Sequence, residues 1–320
     1  MPKVSIVTPS YNQAGFIEET IQSILGQNYP DIEYIIVDGA STDGSPEIIR
    51  KYESQLAWWV SEPDKGQSDA INKGFAHATG DILTWVCSDD TLLPGAVSTI
   101  VDLFARHPDA GMIYGDALLT DPAGEKIGVC LGKPYSLRTL TIYATVPQPA
   151  SFFSRAAWEQ FGPLDSKIHF AMDRDLFLRM AGRTPIYYEP ALLATMREHP
   201  ESKSVRDRSP TRLSEIAILD NYFRRPDTPA EALAARPTFY GRQYYYLGLI
   251  YLQQGQYDKA EAALRQSIQW QPRHRRRLIA SALLLSARRR STWLAYAYPA
   301  LMGKLVTLRL RLQGRGIGNR

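Results

Sequence analysis

Cysteine is scarce: Cys87 and Cys130 are the two in 320 residues, and they show no metal-ligand spacing. A disulfide-stapled scaffold is thereby excluded, and a reduced, cytosolic compartment is the expected setting. Long apolar runs are missing too. None reaches the roughly 20 residues a spanning helix needs, and the best contender, residues 291–303, is broken by Pro299. The stretch from Met1 to Pro9 is too short and too polar to read as a signal peptide. No G-x-G-x-x-G follows the first predicted strand and no G-x-x-x-x-G-K-S/T occurs, which argues against a dinucleotide oxidoreductase, a kinase or an ATPase. Acidic residues are absent from 271–320, where twelve Lys and Arg stand without one Asp or Glu. The rest holds 25 basic against 33 acidic residues, so an acidic body carries a basic tail.

What is present suits a globular chain: 44% apolar and 22% charged residues, enough to bury a core without staples. Strand and helix signals alternate through the first third. Val4 to Thr8, Ile32 to Val37, Leu56 to Val60, Ile82 to Cys87 and Gly111 to Tyr114 read as strands. Between them Phe16 to Leu25, Pro46 to Tyr52, Ser68 to His77 and Pro94 to Arg106 read as helices. Such alternation predicts an α/β fold with a mostly parallel, Rossmann-like sheet covered on both faces, and ligands beyond the carboxyl ends of its strands. Helices are predicted again at 155–161 and 173–182, an extended segment at 185–196, and a polar loop and linker at 197–212.

The strand ends carry the chemistry. Asp89 and Asp90 follow the fourth strand, and adjacent acids there either coordinate a cation such as Mn²⁺ or Mg²⁺ or form the turn before Pro94. Asp38 closes the second strand, where its carboxylate could accept from a base N–H or a ribose hydroxyl, or make an Asx-turn. Tyr11, beyond the first strand, could stack on a base or be an ordinary loop aromatic.

Four segments together, Val4 to Asn12, Asp38 to Ser45, Ser61 to Gly74 and Ser88-Asp89-Asp90, resemble family 2 glycosyltransferases with the GT-A fold, over roughly residues 3–205. The resemblance implies a metal-assisted, inverting enzyme that moves a sugar from a nucleotide-sugar donor, with a UDP-sugar the expected one, to a glycan or lipid-linked acceptor in cell-surface polysaccharide or glycolipid synthesis. It implies that Thr8, Pro9, Ser10, Tyr11 and Asp38 hold the nucleoside. Lys65, Gly66, Asp69 and Asn72 would face the nucleotide. Ser88 stands where the family's DxD has its first acid, Asp89 would approach the ribose, and Asp90 would be the main ligand to Mn²⁺ or Mg²⁺. Asp173, in Ala171 to Met180, aligns with the general base, with Met172 in place of a common Glu. It shares a helical face with Leu176, Phe177 and Met180 and so points inward, although a helix N-cap is the alternative. Asp175 lies four before Arg179 and reads as its ion-pair partner. In Arg197 to Ser204, His199 would ligate the metal or bond the diphosphate, and Lys203 would pair with phosphate. Gln148, Asp165 and His169 are further pocket candidates. A scaffold that kept this fold and lost its chemistry is the rival reading.

Beyond the catalytic domain assigned to 1–205 come a linker or helical connection (206–240), a tetratricopeptide-like hairpin (241–272) and a basic amphipathic tail (273–320). Tyr244, Leu247, Gly248, Tyr251, Ala260, Leu264 and Pro272 sit at the repeat's offsets. In the tail, Arg clusters bracket a short apolar helix followed by Trp293, Tyr296 and Tyr298. That pattern suits an anionic membrane surface, with the chain peripheral on its inner face, or a solvated basic helix. Nucleic acid is not expected, since no recognised binding motif accompanies the charge.

Overall fold

The computed structural model describes residues 1–143, 145–203, 207–271, 276–293 and 295–296. Strand β1 (Val4–Ser10) is buried along its whole length, as befits an apolar run with sheet neighbours on both sides. It pairs in parallel with β2 (Ile32–Asp38) and with β4 (Ile82–Trp85), and β2 pairs in parallel with β3 (Trp58–Ser61). Parallel neighbours require crossovers, which run through α1 (Ile17–Leu25), α2 (Ser45–Arg50) and α3 (Gln67–His77). Helix α1 buries Ile17, Thr20, Ile21 and Ile24, a stripe at i, i+3, i+4 and i+7. That stripe shares a core with Val4, Ile6, Tyr34 and Ile36, and with Val97, Ile100 and Leu103 of α4 (Ala96–Arg106). Each such side chain contributes about 1.5–3 kcal/mol by leaving water. Val7 alternates to the opposite face of β1. There α3 comes so close that a Cβ on Gly74 would lie 2.4 Å from Val7 Cγ1.

The second half of the sheet departs from the mostly parallel expectation. Strand β8 (Ser151–Ser154) inserts antiparallel between β4 and β6 (Met112–Thr120). Strand β9 (Ile186–Arg197) runs parallel to β6, with register shifts around Asp116. Two short additions are antiparallel: β5 (Thr91–Leu92) on β9 and β7 (Lys126–Cys130) on β6. The nine-stranded order is β3-β2-β1-β4-β8-β6-β9-β5, with β7 beside β6. This is a mixed α/β sheet, because β8 arrives from about 70 residues downstream of β4 and no local periodicity reports its direction. Helices α5 (Leu137–Ile142), α6 (Arg155–Phe161) and α7 (Met172–Met180) complete this part.

The chain divides into two compact units. The first comprises Met1–Asp207 and Ala217–Leu233; the second gathers Arg208–Ile216 and the described residues from Ala234 onward. The segment expected as a linker or helical connection is helical, in α8 (Arg208–Arg224) and α9 (Ala230–Gln253), and α8 takes in the end of the stretch 197–212 expected as loop and linker. Pro210 misled the sequence reading: it sits in the first turn of α8, where a missing N–H costs nothing. In the second unit α9, α10 (Tyr257–Trp270) and α11 (Arg276–Arg288) bury Tyr245, Leu252, Ala260, Leu264, Ala280 and Leu283 together. No described helix is long and apolar enough to cross a membrane. Of the predicted basic tail, Arg273, Arg275, Tyr298 and everything after residue 296 lie outside the described residues.

Candidate active site

Three parallel strands end in line, with Ser10 opposite Asp38 and Asp38 opposite Ser61. Their carboxyl ends therefore share one edge, where open α/β sheets place ligands. Tyr11, just past β1, is 64% exposed. It stands beside Gly39, where a Cβ would come 3.3 Å from its ring and 2.8 Å from Asp64 Oδ2. The bare glycine thus keeps a gap between an aromatic face and a carboxylate. Ser10 contributes a buried hydroxyl that no protein group satisfies, a cost of about 1–3 kcal/mol that a ligand would relieve.

The other residues expected at the nucleoside are buried behind this edge. Thr8 and Pro9 are buried in β1, and the Thr8 hydroxyl accepts the Tyr34 hydroxyl at 3.0 Å. Asp38 is fully buried; it accepts from Ser41 N (2.9 Å), Ser41 Oγ (2.5 Å) and Ser61 Oγ (2.6 Å). Three donors leave a carboxylate little spare acceptor capacity, and through them Asp38 ties the loop after β2 to the end of β3. Asn72 spends both ends of its amide on Leu164, donating to its carbonyl at 2.8 Å and accepting its N–H at 2.9 Å. The amide thus clasps α3 to the 164 loop.

The loop after β4 gathers the acids. Asp90 is buried, and its Oδ1 accepts the Arg197 backbone N–H at 3.0 Å. Burial, then the neighbouring charge of Asp89, pushes the Asp90 carboxyl well above the usual carboxylate range, against the opposing pull of Arg197. Ser88, between Cys87 and these acids, is buried as well. Cys87 Sγ and the carboxylate oxygens of Asp89 and Asp90 lie within 4.8 Å of one another, the one such group among the described residues. The two cysteines show no metal-ligand spacing with each other, yet Cys87 stands beside two acids. His199 Nε2 meets Asp89 Oδ2 at 3.1 Å and its ring leans on Phe16 at 4.7 Å, so it stands outside that group and supports Asp89 from the side.

Arg197 was missed by motif reasoning. It is buried at the end of β9, and its Nε donates to the Asp89 carbonyl at 3.0 Å while Nη1 donates to the Pro122 carbonyl at 3.0 Å. Nη2 pairs with Glu19, and the guanidinium lies 5.1 Å from the Phe16 ring centroid. A lone Arg closing the apolar run Leu192 to Met196 was the available signal.

Around this loop, Gln67 donates its amide to Cys87 Sγ at 3.0 Å and accepts Lys203 Nζ at 3.2 Å. Gln148 Oε1 lies 3.7 Å from the same sulfur. Lys65 is exposed, its N–H held by Asp69 at 3.1 Å, and Asp69 pairs with Lys73 at 3.8 Å. Gly66 has φ +109°, and His169 stands where a Cβ would point, 3.3 Å away. Asp173 is half-buried in the first turn of α7. The helix N-cap is Ala171, with φ 58°, so capping does not explain Asp173. Asp175 pairs with Arg179 at 2.9 Å, as its spacing predicts. Burial raises the Cys87 thiol, and so do the charges of Asp90, Asp89 and Asp173, while Lys203 lowers it. Three acids and one base from three segments therefore act on the Cys87 thiol.

Adjacent carboxylates beside a sulfur, the proton affinity of one raised by burial and by its neighbour's charge, are a donor set that a divalent cation would stabilise. Comparisons with known proteins give the chain's family and fold. The model of "Glycosyl transferase family 2" matches residues 5–117, and that of the tetratricopeptide repeat matches 241–274. An uncharacterized glycosyltransferase of Mycobacterium tuberculosis is 32% identical over 183 residues, which are 56% of this chain and 69% of that protein. S. aureus TarS 1–349, solved in complex with UDP-GlcNAc, has a TM-score of 0.62 at 17% identity, covering 93% of this chain and 92% of that one. Mannosyltransferase PcManGT from Pyrobaculum calidifontis, solved with GDP-Man and Mn²⁺, has a TM-score of 0.61 at 22% identity, covering 95% and 87%. The chain belongs to glycosyltransferase family 2 and has the GT-A fold.

Proposed function

We propose that this enzyme transfers a sugar from a nucleotide-sugar donor to an acceptor hydroxyl with inversion at the anomeric carbon. The observation that carries the reading is the carboxylate pair Asp89 and Asp90 beside Cys87 in the loop after β4, with Lys203 tied to that sulfur through Gln67 and the charge of Asp173 felt at the same thiol. Inverting transfer needs two separate services: charge stabilisation for the departing diphosphate, and a base for the incoming hydroxyl. Asp89 and Asp90 would hold Mn²⁺ or Mg²⁺, which when bound offsets the negative charge that develops on the diphosphate. Lys203 adds a cation on the same side. Asp173, from α7, takes the proton of the acceptor hydroxyl as its oxygen bonds to the anomeric carbon. The bond from that carbon to the diphosphate oxygen breaks, and its electron pair leaves with the nucleotide.

Tyr11 offers its exposed face to the base, and the unsatisfied Ser10 hydroxyl offers a hydrogen bond beside it. The solved relatives hold UDP-GlcNAc and GDP-Man, which supports a nucleotide-sugar donor; a UDP-sugar is the first to test. The acceptor class that fits the sequence reading is a glycan or lipid-linked saccharide of the cell surface. The test is a panel of UDP-, GDP- and dTDP-sugars with Mn²⁺, followed first by thermal shift. A donor at 100 times its dissociation constant should add about 2.7 kcal/mol of stability. Donor turnover should vanish in Asp90→Ala and in Asp173→Asn. Full turnover in either variant would remove that residue from its role, and a chain that binds no donor would be a scaffold rather than a transferase.

A further inference from the structure

Cys87 has no place in the reaction just described, yet its sulfur stands among the acids. Its Sγ and one oxygen each of Asp89 and Asp90 are mutually within 4.8 Å. Ligands spaced this way can close on a cation with small side-chain adjustments, since metal–sulfur and metal–oxygen bonds of about 2.0–2.3 Å place ligand atoms roughly 3–4.5 Å apart. Asp90 is 9% exposed, and its Oδ1 takes the Arg197 N–H, which fixes the carboxylate beside its neighbours. The groups near enough to share a cation with it are Asp89 and the Cys87 sulfur. Gln67 and Gln148 bracket that sulfur from the other side, at 3.0 and 3.7 Å, and hold it in the cluster.

We propose that Cys87 is a third protein ligand of the donor-site metal, giving a site of one sulfur and two carboxylates. The proposal rests on the metal-assisted reading above. Its consequence is a change of metal preference. Carboxylates alone favour Mg²⁺ and Mn²⁺, whereas a thiolate adds affinity for softer ions such as Zn²⁺ and Cd²⁺. On binding, the thiol releases its proton to solvent and the sulfur lone pair bonds to the ion. Zn²⁺ would then displace Mn²⁺ at this site, and the enzyme would be sensitive to thiophilic metals in a way that a site built from oxygens alone is not.

The experiment is a titration of the full-length protein, in the presence of UDP, with Cd²⁺ and separately with Mn²⁺. Cd²⁺ binding is read by the sulfur-to-cadmium charge-transfer absorption in the ultraviolet, and Mn²⁺ binding by the loss of its free electron-spin resonance signal. The wild type should bind one Cd²⁺ with the charge-transfer band, and Cys130→Ser should keep it. Cys87→Ser should lose the band and bind Cd²⁺ at least about tenfold more weakly, the loss expected for a metal-site partner. Its Mn²⁺ affinity should change by less than that. Cys87→Ala, with the melting temperature recorded for both variants, guards against a fold defect. Tight Mn²⁺ binding with a Cd²⁺ complex that shows no sulfur band, or a band that survives Cys87→Ser, overturns the sulfur ligand alone. Failure of the wild type to bind either ion overturns the metal reading beneath it.

Discussion

Arg197 sends its backbone N–H to the Asp90 carboxylate and its guanidinium to the carbonyl of Asp89, to Pro122 and to Glu19. One buried side chain thus ties α1, the acid loop and the β6–β7 turn to the end of β9. Lysine keeps the charge and loses the planar fork. Arg197→Lys should therefore lower kcat/KM by about 5- to 150-fold, the equivalent of about 1–3 kcal/mol for hydrogen bonds lost in a buried network. A melting curve taken alongside separates loss of the site from loss of the fold, and a variant with wild-type kcat/KM would strip Arg197 of this positioning role. At this scale the motif acids could be named from sequence, because they sit at strand ends in a recognisable order. Their company could not be named. Asp90 and Arg197 are 107 residues apart, and Asp38 turned out to be enclosed by Ser41 and Ser61, which periodicity does not report.

Helix α3 and strand β1 touch through Gly74 and Val7, where an added methyl would sit 2.4 Å from Cγ1. Gly74→Ala gains about 1 kcal/mol of helix propensity and meets overpacking of about 1–3 kcal/mol. The expected outcome is a net loss of stability in urea denaturation, partly recovered in Gly74→Ala with Val7→Ala. A gain in stability would show that α3 can slide away at no cost. A second element-level tie is Glu33 on β2, which accepts Ser5 Oγ at 2.5 Å and the Thr79 N–H and hydroxyl at 2.6 and 2.7 Å. Burial alone would raise its carboxyl, but the bonds from Ser5 and Thr79 and the charge of Lys3 outweigh that and hold it below its usual value of 4.5. A depressed folded value means stability that is present above pH 4.5 and lost as pH falls through the folded value. Glu33→Gln should accordingly flatten the acid limb of the urea midpoint between pH 5 and pH 3, about the span over which carboxylates titrate. An unchanged acid limb would mean that the bonds from Ser5 and Thr79 carry no net charge preference.

The whole chain is polarised in charge, and its second unit shows apolar groups to solvent beside arginines. Leu278 and Leu285 lie seven residues apart on α11 and are exposed, as are Trp293 and Tyr296. Arg288, Arg289 and Arg290 are exposed at the end of that helix, although Arg288 also reaches Glu261 at 3.1 Å and Arg290 reaches Asp258 at 3.8 Å. Such a face suits an anionic bilayer surface. The full chain should float with vesicles containing phosphatidylserine and not with neutral ones, and replacing the three arginines with Glu should abolish flotation. Equal recovery on both vesicle types would leave this face as a solvated helix.

Sequence by itself determined the strands and helices up to about residue 115 apart from the short β5, the order of the motifs and the repeat-like hairpin. Those features are local: a spacing of two or 3.6 residues, a glycine or an acid at a strand end, each legible within a short window. Tertiary structure alone decided that β8 enters the sheet antiparallel, that α8 takes in Pro210, that Asp38 and Asn72 hydrogen-bond to the framework, and that Cys87 and Arg197 join the acids. Each of these depends on which distant segment lands next to a group, and so on long-range packing and hydrogen bonding that no window of sequence contains.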